Sequence, residues 1–114
     1  MNAIESIYGY HAHVYYRNVR ERAKAAALRE ILSANPNVRI GRWRDAPVGP
    51  HPIPMYQVAF TPELFSTIVP WLMLNRDGLT VLIHPETNDH GVDHRHNSLW
   101  LGEKLDLDFA FFDS

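Results

Sequence analysis

Residues 7–16 read IYGYHAHVYY. Side chains of an extended chain alternate between faces, so Tyr10, Ala12, Val14 and Tyr16 share one side and His11, His13 and Tyr15 the other. One side suits a hydrophobic core. The other carries two imidazoles, ~6.6 Å apart at strand rise, close enough to serve one ion.

Working outward, Asn18 and Glu21 have the spacing of a capping box. From Val19 the period turns helical, with Val19, Ala23, Ala27 and Ile31 on one stripe widened by Leu28 and Leu32. Arg20, Arg22, Lys24, Arg29 and Glu30 are expected to face water, and Asn35-Pro36 ends the helix. Residues 38–44 (VRIGRWR) read as an edge strand with a bulge at Gly41. Residues 45–54 (DAPVGPHPIP) contain four prolines around His51 and form a stiff loop. Residues 55–60 (MYQVAF) make a third strand, and Thr61-Pro62-Glu63 starts a helix. That helix is expected to reach Asn75, with Leu64, Ile68 and Leu72 beside Phe65, Val69 and Met73. Pro70 lies inside it, and Trp71 and Leu74 make its far side apolar. Gly78 marks its end. Residues 79–83 (LTVLI) form a fourth strand, and residues 98–102 (SLWLG) a short fifth one.

This βαββαβ order predicts an α+β, ferredoxin-like split βαβ fold. Its antiparallel four-stranded sheet has two helices on one face, with a short C-terminal strand added. Strands one and three are expected side by side and parallel, with strand four antiparallel beside strand one. His11, His51 and His84 would then meet at one end of the sheet, on its helix-free face. Residues 1–114 are read as a single domain.

Composition narrows the function. Apolar content of 46% and charged content of 21% are ordinary for a globular protein. A net charge of −2 without a basic stripe argues against a nucleic-acid binder. No apolar run reaches the ~20 residues of a membrane span, and MNAIESIYGY has no signal-peptide pattern. The cytoplasm is the expected compartment. There is no cysteine, so a metal would have to use histidine and carboxylate. Residues 84–96 (HPETNDHGVDHRH) concentrate those groups, with four histidines and three carboxylates. A solvated loop is the plain reading of such a segment; convergence with His11, His13 and His51 is what favours a site.

The segments YHAHVYY (10–16), GPHPIPMYQVAF (49–60) and PWLMLNRDGLTVLIHP (70–85), with the spacing HPxT…DH from His84 to His94, carry a resemblance. In this order they resemble the DOPA 4,5-dioxygenase family, the fungal-type extradiol dioxygenases and their bacterial relatives. The resemblance covers nearly all of residues 10–102. It implies an extradiol catechol dioxygenase, in which ferrous iron binds a catecholate and O₂ and the ring opens beside the two hydroxyls. By position, the family's histidines would be His11, His13, His51, His84 and His94, with Asp93 beside the last. The chain departs from the pattern at Asn88, where the family usually has glycine, and at His90-Gly91.

A non-haem Fe(II) site of two histidines and a carboxylate would draw its ligands from His11, His13 and His84, with Asp93, Glu86 or Asp89 as the carboxylate. Zinc or another divalent ion can occupy such a site on isolation. His51 and His94 are the acid–base candidates, whereas His90 and His96 read as solvated. Arg42, with Arg44, is the candidate for pairing a substrate carboxylate, against the plainer reading of arginines blunting a solvated edge strand. Tyr56 is a second substrate-binding candidate at a position that reads more as core or rim. The expected partners are a small catechol and O₂, with no nucleic acid and no membrane. A homodimer is expected through the helix-free face or the apolar C-terminal segment. The alternatives are a dimeric α+β module that binds a small ligand or metal without redox chemistry, and a metal-free histidine acid–base enzyme.

Overall fold

The computed structural model describes residues 1–113. Its strands are β1 (Gly9–Tyr15), β2 (Val38–Ile40), β3 (Met55–Phe60), β4 (Val81–Glu86) and β5 (Leu99–Leu101). Helix α1 (Val19–Ser33) follows β1, α2 (Phe65–Asn75) follows β3, and a short α3 (His90–Arg95) follows β4. The strands form one five-stranded sheet in the order β2-β3-β1-β4-β5. The split βαβ arrangement is present, with β5 extending it to a fifth strand.

One expectation about that sheet needs correcting. β1 and β3 run antiparallel, with Tyr10 opposite Phe60 and Tyr15 opposite Met55. The α1 crossover makes β2 parallel to β1 with one strand between them, and the return from β2 reverses β3, so a parallel β1–β3 pair was inconsistent with the chain path. β4 is antiparallel to β1 as expected, placing His84 directly opposite His11.

The core lies between the sheet and the two longer helices. Ala12 and Val14 of β1, Tyr16 just after it, Tyr56 and Val58 of β3, and Val81 and Ile83 of β4 pack there with Ala25, Leu28 and Leu32 of α1 and Ile68, Val69 and Leu72 of α2. The α1 stripe expected from sequence is displaced: Val19 and Ile31 are 87% and 59% exposed, and Ala25-Leu28-Leu32 is the buried row. Alanines fit both faces of a helix, so they could not set its rotation. The N-cap did form, with Asn18 accepting from the Glu21 amide at 2.9 Å. Glu21 accepts in turn from the Arg17 amide at 2.8 Å.

The opposite sheet face is covered on one side by the chain's own C-terminal segment. Leu105, Leu107 and Phe109 pack with Tyr15, Leu82 and Trp100, and the Asp108 amide donates to the Pro50 carbonyl at 2.9 Å. The apolar part of the face that motivated an expected homodimer is therefore already occupied. What remains open, around Arg39, Gln57 and Ala59, is polar or small. No helix among the described residues is long and apolar enough to cross a membrane.

Candidate functional site

Strand alternation and register build the site. His11 and His13 leave β1 on the face away from the helices, and His84 leaves β4 on the same face opposite His11. Residues 84–86 belong to β4 rather than to a loop, so His84 and Glu86 are fixed by the ladder. His51 arrives differently. It precedes β3, whose start lies beside Tyr15 at the far end of β1, and a turn closed by the His51 amide on the Val48 carbonyl folds it back over the sheet. Gly49, with φ of 57°, occupies the left-handed position of that turn. His94 comes from α3, capped by Asp89 accepting from the Val92 amide.

The rings meet on the face itself and not at one end of the sheet. Ring centroids are 4.3 Å apart for His13 and His51, 3.8 Å for His84 and His94, and 5.2 Å for His11 and His84. His13, His51, His84 and His94 are all buried. His13 Nε2 and His84 Nε2 face each other at 3.1 Å. Two groups have ligand atoms near enough to hold one ion: His11, His13 and His84, and, sharing His13, the group His13, His51 and His94.

The outer bonds of the rings are specific. His84 Nδ1 donates to the Pro85 carbonyl at 2.9 Å, and His94 Nδ1 to the His90 carbonyl at 2.7 Å. His11 Nδ1 lies 3.0 Å from Glu86 Oε1, and Tyr8 donates to the other oxygen of Glu86 at 3.3 Å. His51 Nδ1 meets the Tyr15 hydroxyl at 2.7 Å. His13 Nδ1 is buried without a partner among the described residues.

Burial disfavours charge on all five rings. It lowers the pKa of His11 and of His51 to about 4 each, helped at His11 by His90 and Arg39 and at His51 by His94. His84 falls to about 3 for the same first reason, with His94 adding repulsion. His13 is driven well down, and His94 is lowered despite its bond to the His90 carbonyl. At neutral pH the cluster is therefore a set of neutral imidazoles, the form that ligates metal.

A cation fits this arrangement. Because His84 Nδ1 carries its proton toward Pro85, its Nε2 presents a lone pair to His13 Nε2. That contact needs either a proton from His13 or an ion in its place. Nitrogen-only donors, with a nearby carboxylate on His11, suit a borderline divalent ion.

Two expected site residues stand elsewhere. Asp93 is fully buried, but its carboxylate accepts from the Thr87 amide and hydroxyl at 2.7 and 2.6 Å and from Asn97 at 3.3 Å. It braces the segment after β4 and is in neither ligand group. Tyr56 pairs with Val14 on the helix side, and its hydroxyl donates to the Ala25 carbonyl at 2.7 Å; period two in MYQVAF already placed it with Val58 and Phe60. Arg42 does line the site, in a cavity of about 240 Å³ with His13, His51, Arg44 and Gln57. A second cavity of about 190 Å³ holds His11, Glu86, Tyr8 and Arg39. Tyr8 was missed because alternation along residues 7–16 groups it with Tyr10 on the core face, whereas it precedes β1; Arg39 was missed because it lies outside the histidine-bearing segments. His90 and His96 are exposed, as expected.

The Dopa 4,5-dioxygenase family model matches residues 10–111. The chain belongs to that family. It is 30% identical over 109 residues to the DOPA 4,5-dioxygenase of Amanita muscaria, covering 89% of this chain and 48% of that protein. An uncharacterised 21.2 kDa protein of Botryotinia fuckeliana is 38% identical over 109 residues, 86% of this chain and 60% of the relative. The chain thus spans only part of both fungal proteins. A crystal structure from Nostoc punctiforme, of provisional dioxygenase assignment, superposes with a TM-score of 0.95 at 51% identity, over 99% of this chain and 97% of that one. Asn88, the departure from the family's glycine, has φ of 76°. Asparagine is the residue that best tolerates the left-handed region after glycine, so the substitution keeps the turn between β4 and α3.

Proposed function

We propose that this protein is an extradiol catechol dioxygenase working at Fe(II) held by His11, His13 and His84. The supporting observation is the approach of His13 and His84 Nε2 at 3.1 Å, inside a buried imidazole cluster of a dioxygenase-family chain. When bound, iron would couple electron flow between a catecholate and O₂, which side chains alone do not do. The other tasks fall to the chain. Arg42 and Arg44 line the adjoining cavity and would bind an acidic group on the catechol. His94, neutral in the free protein, would exchange a proton with a catechol hydroxyl, and His51, neutral as well, would hydrogen-bond the substrate. Asp93 holds the segment carrying His94 in place. The C-terminal segment closes over His94, with the Phe112 ring packed against it at 4.8 Å between centroids, tilted by 42°.

The test compares two variants by iron content and single-turnover catechol cleavage. His84→Ala is expected to lose iron and activity together. His94→Ala is expected to keep iron and lose roughly 10²–10⁴-fold in ring opening, the usual scale of general acid–base assistance. Full iron and full rate in His84→Ala would remove the proposal at its centre. Bound metal in the native protein without turnover of any catechol would favour a metal-binding module instead.

A further inference from the structure

We propose that Tyr15 is a positioning residue that fixes His51 as a hydrogen-bond donor toward the substrate, excluding His51 from the metal and leaving proton abstraction to His94. The inference rests on reading the cluster as a metal centre, and it decides between the two overlapping ligand groups.

The argument is one of tautomers. A neutral imidazole carries one proton, and the partner of Nδ1 decides which nitrogen holds it. His84 and His94 face carbonyl oxygens at 2.9 and 2.7 Å, and His11 faces a carboxylate oxygen at 3.0 Å. Those oxygens only accept. Each of these rings therefore carries its proton on Nδ1 and offers an Nε2 lone pair, the arrangement of metal-ligating histidines with a carbonyl or carboxylate behind them.

His51 is built the other way round. Its Nδ1 meets a hydroxyl, which can donate or accept. Tyr15 is 0% exposed, and His51 is the one hydrogen-bond partner of its hydroxyl among the described residues. If Tyr15 accepted from His51, its own proton would be buried without an acceptor, at a cost of roughly 1–3 kcal/mol. Burial also raises the Tyr15 pKa, so the phenol keeps that proton. Donation by Tyr15 satisfies both groups. The His51 proton then sits on Nε2, where an N–H has no lone pair to give a metal. His51, at the wall of the Arg42 cavity, donates to a substrate oxygen, while His94 presents a lone pair and accepts a proton.

The test is a two-bond ¹H–¹⁵N correlation spectrum of protein with ¹⁵N-labelled histidine, recorded chelated and zinc-loaded. The expected result is Nε2–H for His51 in both states and Nδ1–H for His84 and His94. Tyr15→Phe is expected to lose the His51 preference while His84 and His94 keep theirs. In the iron-loaded enzyme the same change should lower kcat/KM by no more than the roughly 10²–10³-fold cost of losing one preorganised donor, with iron content unchanged. A native spectrum showing His51 protonated on Nδ1, or His51 bound to zinc, overturns the assignment. So does a Tyr15→Phe spectrum in which His51 is unaltered. The native spectrum decides by itself, even if the variant does not fold. Zinc binding with the assigned tautomers but no catechol cleavage would remove the dioxygenase reading and leave the roles of Tyr15 and His51 standing.

Discussion

The two faces of β1 are buried to nearly the same depth and do opposite work. On one, Ala12 and Val14 are 0% exposed among the helices; on the other, His13 is 2% exposed among histidines. Burying Val14 removes apolar surface from water and leaves nothing unsatisfied. Burying His13 removes a ring that would otherwise be free to charge, and one of its nitrogens finds no partner among the described residues. Seven residues of strand thus carry a face selected for stability beside a face that costs stability and provides the chemistry. That difference should be measurable.

The largest effect expected is acid sensitivity confined to the histidine face. His11 and His51 have folded pKa values of about 4, and His84 about 3, against an ordinary value near 6.5. Between those limits the unfolded chain binds more protons than the folded one, so stability is complete above about pH 6.5 and is lost as pH falls. Each such histidine adds to the slope in that window, so acid should weaken the folded state in proportion to how many of the rings take up a proton on unfolding. Denaturant midpoints of chelated protein should fall steeply from pH 6.5 toward pH 4. Midpoints that stay level over that interval would show that the cluster is hydrated and not buried as described.

Neighbouring residues of β4 give the next contrast, because Ile83 belongs to the core face and His84 to the other, each 1% exposed. Ile83→Ala should cost roughly 2–5 kcal/mol and leave metal stoichiometry unchanged. His84→Leu should abolish metal binding while costing the chelated protein less than Ile83→Ala, since an apolar side chain there replaces a buried polar one. Urea titrations with metal analysis on both variants check this. Equal destabilisation with equal metal loss would mean the faces are not separable.

How much of this was legible in the sequence follows from the same alternation. IYGYHAHVYY and LTVLIHPE assign faces by period two alone, which is enough to put His11, His13 and His84 on one side of the sheet. Two things were not readable that way. The rotation of α1 depends on which alanines meet the sheet, and alanine carries too little apolar area to say. The path of His51 depends on a backbone turn at Gly49 and on the C-terminal segment pinning Pro50 through the Asp108 amide, neither of which leaves a periodic trace. Asp93 sits beside His94 in sequence, but adjacent helical residues point in different directions, and Thr87 claims its oxygens.

The smallest contrast sets one paired polar group on each face against the other. On the core face the Tyr56 hydroxyl donates to the Ala25 carbonyl at 2.7 Å; on the histidine face Glu86 accepts from His11 at 3.0 Å. Tyr56→Phe deletes an ordinary buried hydrogen bond and should cost roughly 0.5–1.5 kcal/mol, with metal affinity and substrate KM unchanged, because the hydroxyl lies on the far side of the sheet from the cavity of Arg42. Glu86→Gln removes the negative charge behind His11 while keeping the shape. The His11 Nδ1–H still finds an oxygen, so folding should be nearly unaffected. The ring becomes a weaker donor to an ion on its other nitrogen, and metal affinity should drop by roughly 10–100-fold, the usual consequence of losing the carboxylate behind a ligating histidine. Competition titrations against a chelator, beside thermal melts, read both variants. An affinity that survives Glu86→Gln intact would remove His11 from the ion, and with it the ligand group His11, His13 and His84.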